Sequence, residues 1–213
     1  MSPRPPAPTT PLTYERALWA SGYQHVAGVD EVGVGSLAGP VVAAAVILPP
    51  DCVVAGVQDS KQLSPARRRA LAADIEAVAL AWAVGLCTPA EIDRINILQA
   101  SRQAMARAVC ALPVVADHLL VDARVVPGVC MRQTSLVHGD SRSQSIAAAS
   151  ILAKVCRDAL MVRAASRYPG YGFERHSGYG TAVHLAALAQ LGPCPLHRIS
   201  FAPVRRLALT AAT

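Results

Sequence analysis

Gly28-Val29-Asp30-Glu31-Val32-Gly33-Val34-Gly35-Ser36-Leu37-Ala38-Gly39 is the stretch that decides the fold of this chain. Apolar residues lead into it (Val26, Ala27, Val29), and an apolar run from Val41 to Leu48 follows. Two short apolar segments around a glycine-rich turn predict two strands joined by that turn. Asp30 and Glu31 fall where the first strand should end. Carboxylates are rarely buried unless paired or bound to a metal, so an acidic pair there marks a site.

Upstream, Leu12 to Ala20 reads as a short helix stopped near Gly22. Downstream, Asp59-Ser60-Lys61-Gln62-Leu63 is a polar loop, and Ser64-Pro65 supplies an N-cap and first-turn proline for a helix to about Val78. Ala81 to Cys87 predicts a third strand. Thr88-Pro89-Ala90-Glu91 is a capping box opening another helix, and a longer helix runs from Ile97 to Ala111. His118 to Val121 is a compact strand ending in Asp122, and Ser135 to Val137 a further short one before His138-Gly139-Asp140. A long Ala- and Ile-rich helix spans Ser143 to Arg167; beyond it a loop carries Tyr168, Tyr171, His176 and Tyr179, and Thr181 caps a helix ending at Gly192. Strands followed by alternating helices and strands imply an α/β or mixed-sheet fold.

A chain of 213 residues suits one domain with a small appendage. With 53% hydrophobic and only 4% aromatic residues, the core must be built from alanine, valine and leucine. No apolar run reaches membrane-spanning length, and prolines 3, 5, 6, 8 and 11 exclude a signal-peptide reading, leaving residues 1–12 as a disordered Pro-rich tail. The net charge of +6 favours a polyanionic partner such as nucleic acid, although an Ala- and Arg-rich composition alone makes a protein basic. Lys61 and Lys154 are the only lysines. The six cysteines form no C-x-x-C pair or zinc spacing and are expected to be reduced, in a cytoplasmic protein.

The acids form a pattern. Asp30 and Glu31 end one strand, Asp122 ends another, and Asp140 stands at the mouth of the long helix. Converging at one edge of a sheet, they would repel one another unless a cation lay among them, and an all-oxygen set suits Mg²⁺ or Mn²⁺. From spacing alone, four unrelated loop carboxylates remain the alternative.

The blocks Gly-Val-Asp-Glu-Val-Gly with Leu-Ala-Gly-Pro-Val-Val, Asp59-Ser60-Lys61-Gln62-Leu63-Ser64, Leu120-Val121-Asp122 and Gly139-Asp140-Ser141-Arg142 occur in order. Ile146 through Lys154, His176-Ser177-Gly178-Tyr179-Gly180-Thr181 and His197-Arg198 follow. In this order and spacing the chain resembles bacterial ribonuclease HII, the type 2 ribonuclease H, over roughly Ala27 to Val204. The resemblance implies a ribonuclease H-like mixed sheet flanked by helices, with a catalytic core over 13–167 and a helical C-terminal extension over 168–213 that completes the substrate site. It implies cleavage of the RNA strand of RNA–DNA hybrids and nicking of DNA 5′ to an embedded ribonucleotide. Asp30, Glu31, Asp122 and Asp140 match the family's four acids, with two divalent ions acting in hydrolysis. Adjacent strand residues point to opposite faces, so Glu31 needs a twist or contributes its main-chain carbonyl.

By the same resemblance, main-chain N–H and C=O groups of Gly33, Val34 and Gly35 read the ribose 2′-hydroxyl, and Tyr179 packs on the following deoxyribose. Lys61 is placed as a phosphate contact, with Ser141 and Arg142 meeting phosphate through free N–H groups at the helix entrance. Lys154, His138 and His176 receive no role. The family turn reads Gly-Arg-Gly, whereas this chain has Val34. The alternative function is therefore a catalytically weakened hybrid-binding protein. A dinucleotide-binding reading fails because Gly39 is one position late for G-x-G-x-x-G and a strand, not a helix, follows. No association motif is present, and a monomer is expected.

Overall fold

The structure is a computed structural model describing residues 9–210. One sheet holds five strands: β1 Val26–Val32, β2 Val41–Ile47, β3 Ala81–Cys87, β4 His118–Asp122 and β5 Arg132–Leu136. Their order is β3-β2-β1-β4-β5. β1 runs antiparallel to β2, and β2 to β3, while β1–β4 and β4–β5 are parallel pairs. The sheet is therefore mixed, as the sequence led one to expect. Its register has a direct consequence for the acids. Val29 pairs with Val121 as the last pair of the parallel β1–β4 seam, so Asp30 and Asp122, one residue further on, stand side by side where that seam opens. β1 itself stays paired with β2 through Val32, past the acids that were expected to end it.

The helices are α1 Thr13–Ala20, α2 Pro65–Val78, α3 Pro89–Ile95, α4 Ile97–Cys110, α5 Gln144–Arg167, α6 Phe173–His176, α7 Ala182–Leu191 and α8 Ala202–Thr210. Every residue of β2 is buried because both of its faces are covered. Val41, Ala43, Ala45 and Ile47 pack with Ala100, Ala104 and Ala108 of α4. The alternate residues Val42, Ala44 and Val46 pack with α5 (Ala147, Ala148, Ile151) and with Leu71 and Ile75 of α2. Period-two alternation sends successive side chains to opposite layers, so an unbroken apolar run is what a doubly covered strand requires. Small side chains in both helices let them approach the sheet closely. Among the described residues no helix is long and apolar enough to cross a membrane.

Caps fix where helices begin. Ser64 Oγ accepts from Arg67 N, with Pro65 in the first turn. At α3 the capping box is complete: Thr88 Oγ1 accepts from Glu91 N at 3.3 Å, and Glu91 Oε2 accepts from Thr88 N at 2.8 Å. Arg107 Nη2 donates to the other Glu91 oxygen at 2.6 Å, and with Thr88 holds its carboxyl down to about 2 from the ordinary 4.5. A carboxyl whose folded pKa lies below its unfolded one stabilises fully above the unfolded value. That stabilisation is lost as pH falls from 4.5 toward about 2. Glu91→Ala is expected to cost about 1 kcal/mol at pH 7, a capping-scale effect on a partly exposed pair. In urea unfolding, the gap between mutant and wild type should narrow as pH falls through that window; a gap constant with pH would contradict the assignment.

Three sequence expectations shift. The strand expected over Ser135 to Val137 is β5, Arg132–Leu136; only Leu136 is buried, Gln133 and Thr134 are half-buried, Arg132 and Ser135 are exposed, and main-chain pairing with β4 defines it. The loop after α5 contains the single turn α6. Residues 9–12, counted with the disordered tail, are docked: Thr10 and Leu12 are buried, Thr10 N donates to Val57 O, and Gln144 bonds main-chain oxygens of Thr10 and Pro11. Residues 1–8 of that expected tail lie outside the described residues. Just beyond, buried Glu15 of α1 accepts from Ser143 Oγ and Ser145 N, and so caps the start of α5. The segment 168–210 packs α6 to α8 around Leu37 and Ala38, beside the glycine turn.

Candidate active site

Asp30 lies near the end of β1, buried on the face covered by α5. Its Oδ1 accepts from Glu31 N at 2.7 Å, Ser150 of α5 also donates to the carboxylate, and Ser150 Oγ meets Ser60 Oγ at 2.9 Å. Burial first, then the Glu31 and Asp122 charges, push the Asp30 carboxyl well above its ordinary value. Glu31 takes the opposite face, as strand geometry requires. There Arg124 Nε donates to Oε1 at 2.9 Å, and the buried Ser101 Oγ of α4 makes no hydrogen bond among the described residues. Oε2 is buried without a partner. Burial raises the Glu31 carboxyl despite Arg124 pulling it down.

Asp122 Oδ1 accepts from Gly139 N at 2.7 Å, tying the end of β4 to the one-turn 3-10 helix Gly139–Ser141 that carries Asp140. Thr10 Oγ1 holds the same turn by donating to Asp140 O. Burial, followed by Asp59 and Asp122, raises the Asp140 carboxyl, and Lys61 offsets part of this. Lys61 Nζ stands 3.9 Å from Asp140 Oδ2 on a side chain that is 81% exposed. Partial burial works against its charge, but Asp59, Asp140, Asp30 and Asp122 outweigh that and raise its pKa. It is a cation at the lip of an acidic basin.

These groups share a cavity of about 580 Å³ whose walls include Asp30, Glu31, Asp122, Lys61, Tyr179 and the turn Gly33-Val34-Gly35. Asp140 adjoins it through Lys61. The donor set fits a hard divalent cation: every candidate ligand is oxygen, the acids destabilise one another's charge, and a buried Glu31 oxygen lacks a partner. As placed, no three His, Cys, Asp or Glu side chains among the described residues converge on one ion position. Arg124 and the Gly139 N–H occupy oxygens of Glu31 and Asp122 instead.

Gly33 adopts φ +91°, and a Cβ there would sit 2.2 Å from Arg157 Nε, so both conformation and space demand glycine. At Gly35 a Cβ would meet nothing within 4 Å. The carbonyls of Gly33 and Val34, expected to face the ribose, instead accept from Arg198 Nη2 at 2.7 Å and Nη1 at 2.9 Å. The N–H groups of Gly33, Val34 and Gly35 donate to no protein acceptor among the described residues. The Val34 side chain packs half-buried against the α4-side core. Tyr179 is flanked by Lys154 Nζ, 5.8 Å from its ring centre, and Arg157 Cζ at 5.4 Å.

Ser141 and Arg142 do not reach this cavity. Their N–H groups donate to His138 O and Gly139 O within the tight turn, so they are not free for phosphate. Ser141 Oγ also bonds His138 O, and Arg142 lies over the Tyr14 ring and bonds its hydroxyl and Val137 O. His138 is exposed in a left-handed turn, and His176 packs among aromatic rings. Sequence reading missed Arg124, Ser150, Arg157 and Arg198. Arg124, two residues past Asp122, carried a local signal; the other three act on residues more than 100 positions away.

A family model described as Ribonuclease HII matches residues 27–204. The chain belongs to that family. Ribonuclease HII of Geobacillus thermodenitrificans is 56% identical over 194 residues, 91% of this chain and 74% of that protein. The Nitrosococcus oceani ribonuclease HII is 57% identical over 183 residues, 86% of this chain and 91% of its own length. The crystal structure of ribonuclease H2 from Pyrococcus horikoshii superposes with a TM-score of 0.72 at 27% identity, over 88% of this chain and 99% of that one. The chain is accordingly an endoribonuclease of RNA–DNA hybrids with a ribonuclease H-like fold. The weakened hybrid-binder alternative gains no support over the enzyme.

Proposed function

We propose that this enzyme also nicks duplex DNA 5′ to an embedded ribonucleotide, leaving 3′-hydroxyl and 5′-phosphate ends. The observation that carries the reading is the common cavity: acids from two parallel strand ends face a glycine turn with undonated N–H groups. Asp30, Glu31, Asp122 and Asp140 would hold Mg²⁺ or Mn²⁺, two ions by family resemblance. Bound there, such ions supply an activated water and stabilise charge on the leaving oxygen. The protein's own part is positioning. Lys61 holds the substrate phosphate at the mouth, the Gly33–Gly35 N–H groups meet the ribose 2′-oxygen, and the Tyr179 ring packs on the next sugar. Six free cysteines suit a reducing compartment such as the cytoplasm, and the protein is taken to act there as a monomer.

The test is end-group analysis of a DNA duplex carrying one ribonucleotide. A 3′-hydroxyl and a 5′-phosphate on the ribonucleotide support the reading. A 2′,3′-cyclic phosphate contradicts it, since that product needs the ribose itself as nucleophile.

Val34 leaves the turn without the arginine of the family pattern. A charge-assisted hydrogen bond contributes about 1.5–3 kcal/mol, and one added phosphate contact steepens the salt dependence of binding by about one unit of slope. Val34→Arg is expected to lower KM by about tenfold or more with that steeper slope. An unchanged KM and slope would mean that position 34 does not face the backbone.

A further inference from the structure

The C-terminal extension meets the cavity through two consecutive residues, His197 and Arg198. Arg198 is fully buried, and no described carboxylate forms an ion pair with it. Its guanidinium is satisfied by carbonyls alone: Nη2 donates to Gly33 O at 2.7 Å, Nη1 to Val34 O at 2.9 Å, and Nε and Nη2 to Gly39 O at 3.0 and 2.9 Å. Those carbonyls belong to the beginning and end of one turn. An unpaired buried cation is costly, so its net contribution lies in fixing a conformation rather than in stability. With the carbonyls occupied, the turn offers its ligand N–H donors.

His197 starts a directed chain. Cys194 N donates to His197 Nδ1 at 3.0 Å, with Cys194 O farther off at 3.3 Å. Because the Tyr179 carbonyl at the other end of the chain can only accept, the His197 proton sits on Nε2. That Nε2 lies 3.1 Å from His184 Nε2, so His184 accepts there and carries its own proton on Nδ1. His184 Nδ1 then donates to Tyr179 O at 2.9 Å. Both imidazoles are buried, and Phe173 and His176 pack on His184. Burial, then His184, hold His197 down to about 4, so the neutral tautomers persist at neutral pH.

We propose that His197 and Arg198 are positioning residues that brace both substrate-reading elements: Arg198 sets the ribose-reading turn, and His197, through His184, sets Tyr179. The proposal rests on the roles of the turn and of Tyr179 given under Proposed function.

Two ratios test it. Ribose preference is the affinity for a single-ribonucleotide duplex over all-DNA duplex, measured in chelator. Junction preference is kcat/KM on that duplex over kcat/KM on a continuous hybrid. His184→Leu should reduce junction preference by about tenfold, the scale of one buried hydrogen bond, and His184→Asn, whose amide N–H replaces Nδ1–H, should restore most of it. Arg198→Lys should reduce ribose preference by a similar factor. Gly35→Ala, which has room for its Cβ, and Tyr179→Ala report on the underlying roles. If these two leave both ratios unchanged, the reading of the site fails. If they move the ratios while His184→Leu and Arg198→Lys do not, the brace is overturned. Melting temperatures accompany every variant, and the His184 pair decides the relay even where Arg198→Lys does not fold.

Discussion

Asp30→Asn is expected to reduce hybrid cleavage by about 10³-fold or more and, in chelator, to raise the melting temperature. The activity loss follows from its place. Asp30 is a buried acid whose charge is opposed by both Glu31 and Asp122. On the proposed reading Asp30 is a metal ligand, and removing a ligand charge from such a site forfeits several kcal/mol of transition-state stabilisation, of which about 4 kcal/mol is 10³-fold. The stability gain follows from the sign of its pKa shift. Its folded pKa is raised above 3.8, chiefly by burial. The folded state therefore binds the proton more tightly than the unfolded chain, and stability falls as pH rises from 3.8 through the folded pKa. At pH 7 the wild type carries that penalty, whereas asparagine carries none. Each kcal/mol relieved raises the melting temperature of a chain this size by about 2–4 °C, and the gain should shrink as pH falls to 3.8. Calorimetry of both proteins across pH checks it; a mutant that melts lower than wild type at pH 7 would contradict the electrostatic account.

Gly28→Ala is expected to destabilise the protein by about 3 kcal/mol or more, lowering the melting temperature by about 6–12 °C. A Cβ at Gly28 would lie 2.0 Å from Ser145 C and 2.2 Å from Ser145 O. The obstacle is backbone of the first turn of α5, which cannot rotate aside as a side chain does. Displacing that turn would also disturb Glu15's cap on Ser143 and Ser145 and, through it, the neighbouring turn of Asp140. Cleavage should fall together with stability. A melting temperature within a degree of wild type would show that α5 can retreat from β1 freely.

Much of this was legible in the chain because it is local. The apolar run 41–48 had to be a doubly covered strand, and Ser64, Thr88 and Thr181 announced helix starts through side chains that bond residues three positions on. The acids were legible because carboxylates at the ends of apolar strands are costly unless a cation or a donor meets them. β5 was blurred because Arg132, Gln133, Thr134 and Ser135 carry no apolar alternation; its partner β4 defines it. The docking of residues 9–12 was hidden by proline content, which says nothing of main-chain bonds to Val57 and Gln144.

Buried arginine was the least legible feature. Composition assigns arginine to the surface, yet Arg157 and Arg198 are both fully buried and bond carbonyls of the β1–β2 connection. Those contacts also altered one reading. The turn was expected to present both carbonyls and N–H groups, and Arg198 takes the carbonyls of Gly33 and Val34. Likewise the helix-entrance role of Ser141 and Arg142 assumed free N–H groups that the 3-10 turn consumes.

The most direct measurement is cleavage of one DNA duplex with a single ribonucleotide beside its all-DNA twin, in Mg²⁺, in Mn²⁺ and in chelator. A nick on the 5′ side of the ribonucleotide only, requiring a divalent cation and absent in Asp30→Asn, is the expected result. Cleavage that persists in chelator, or that Asp30→Asn leaves intact, would contradict the assignment of the acidic cavity as the catalytic centre.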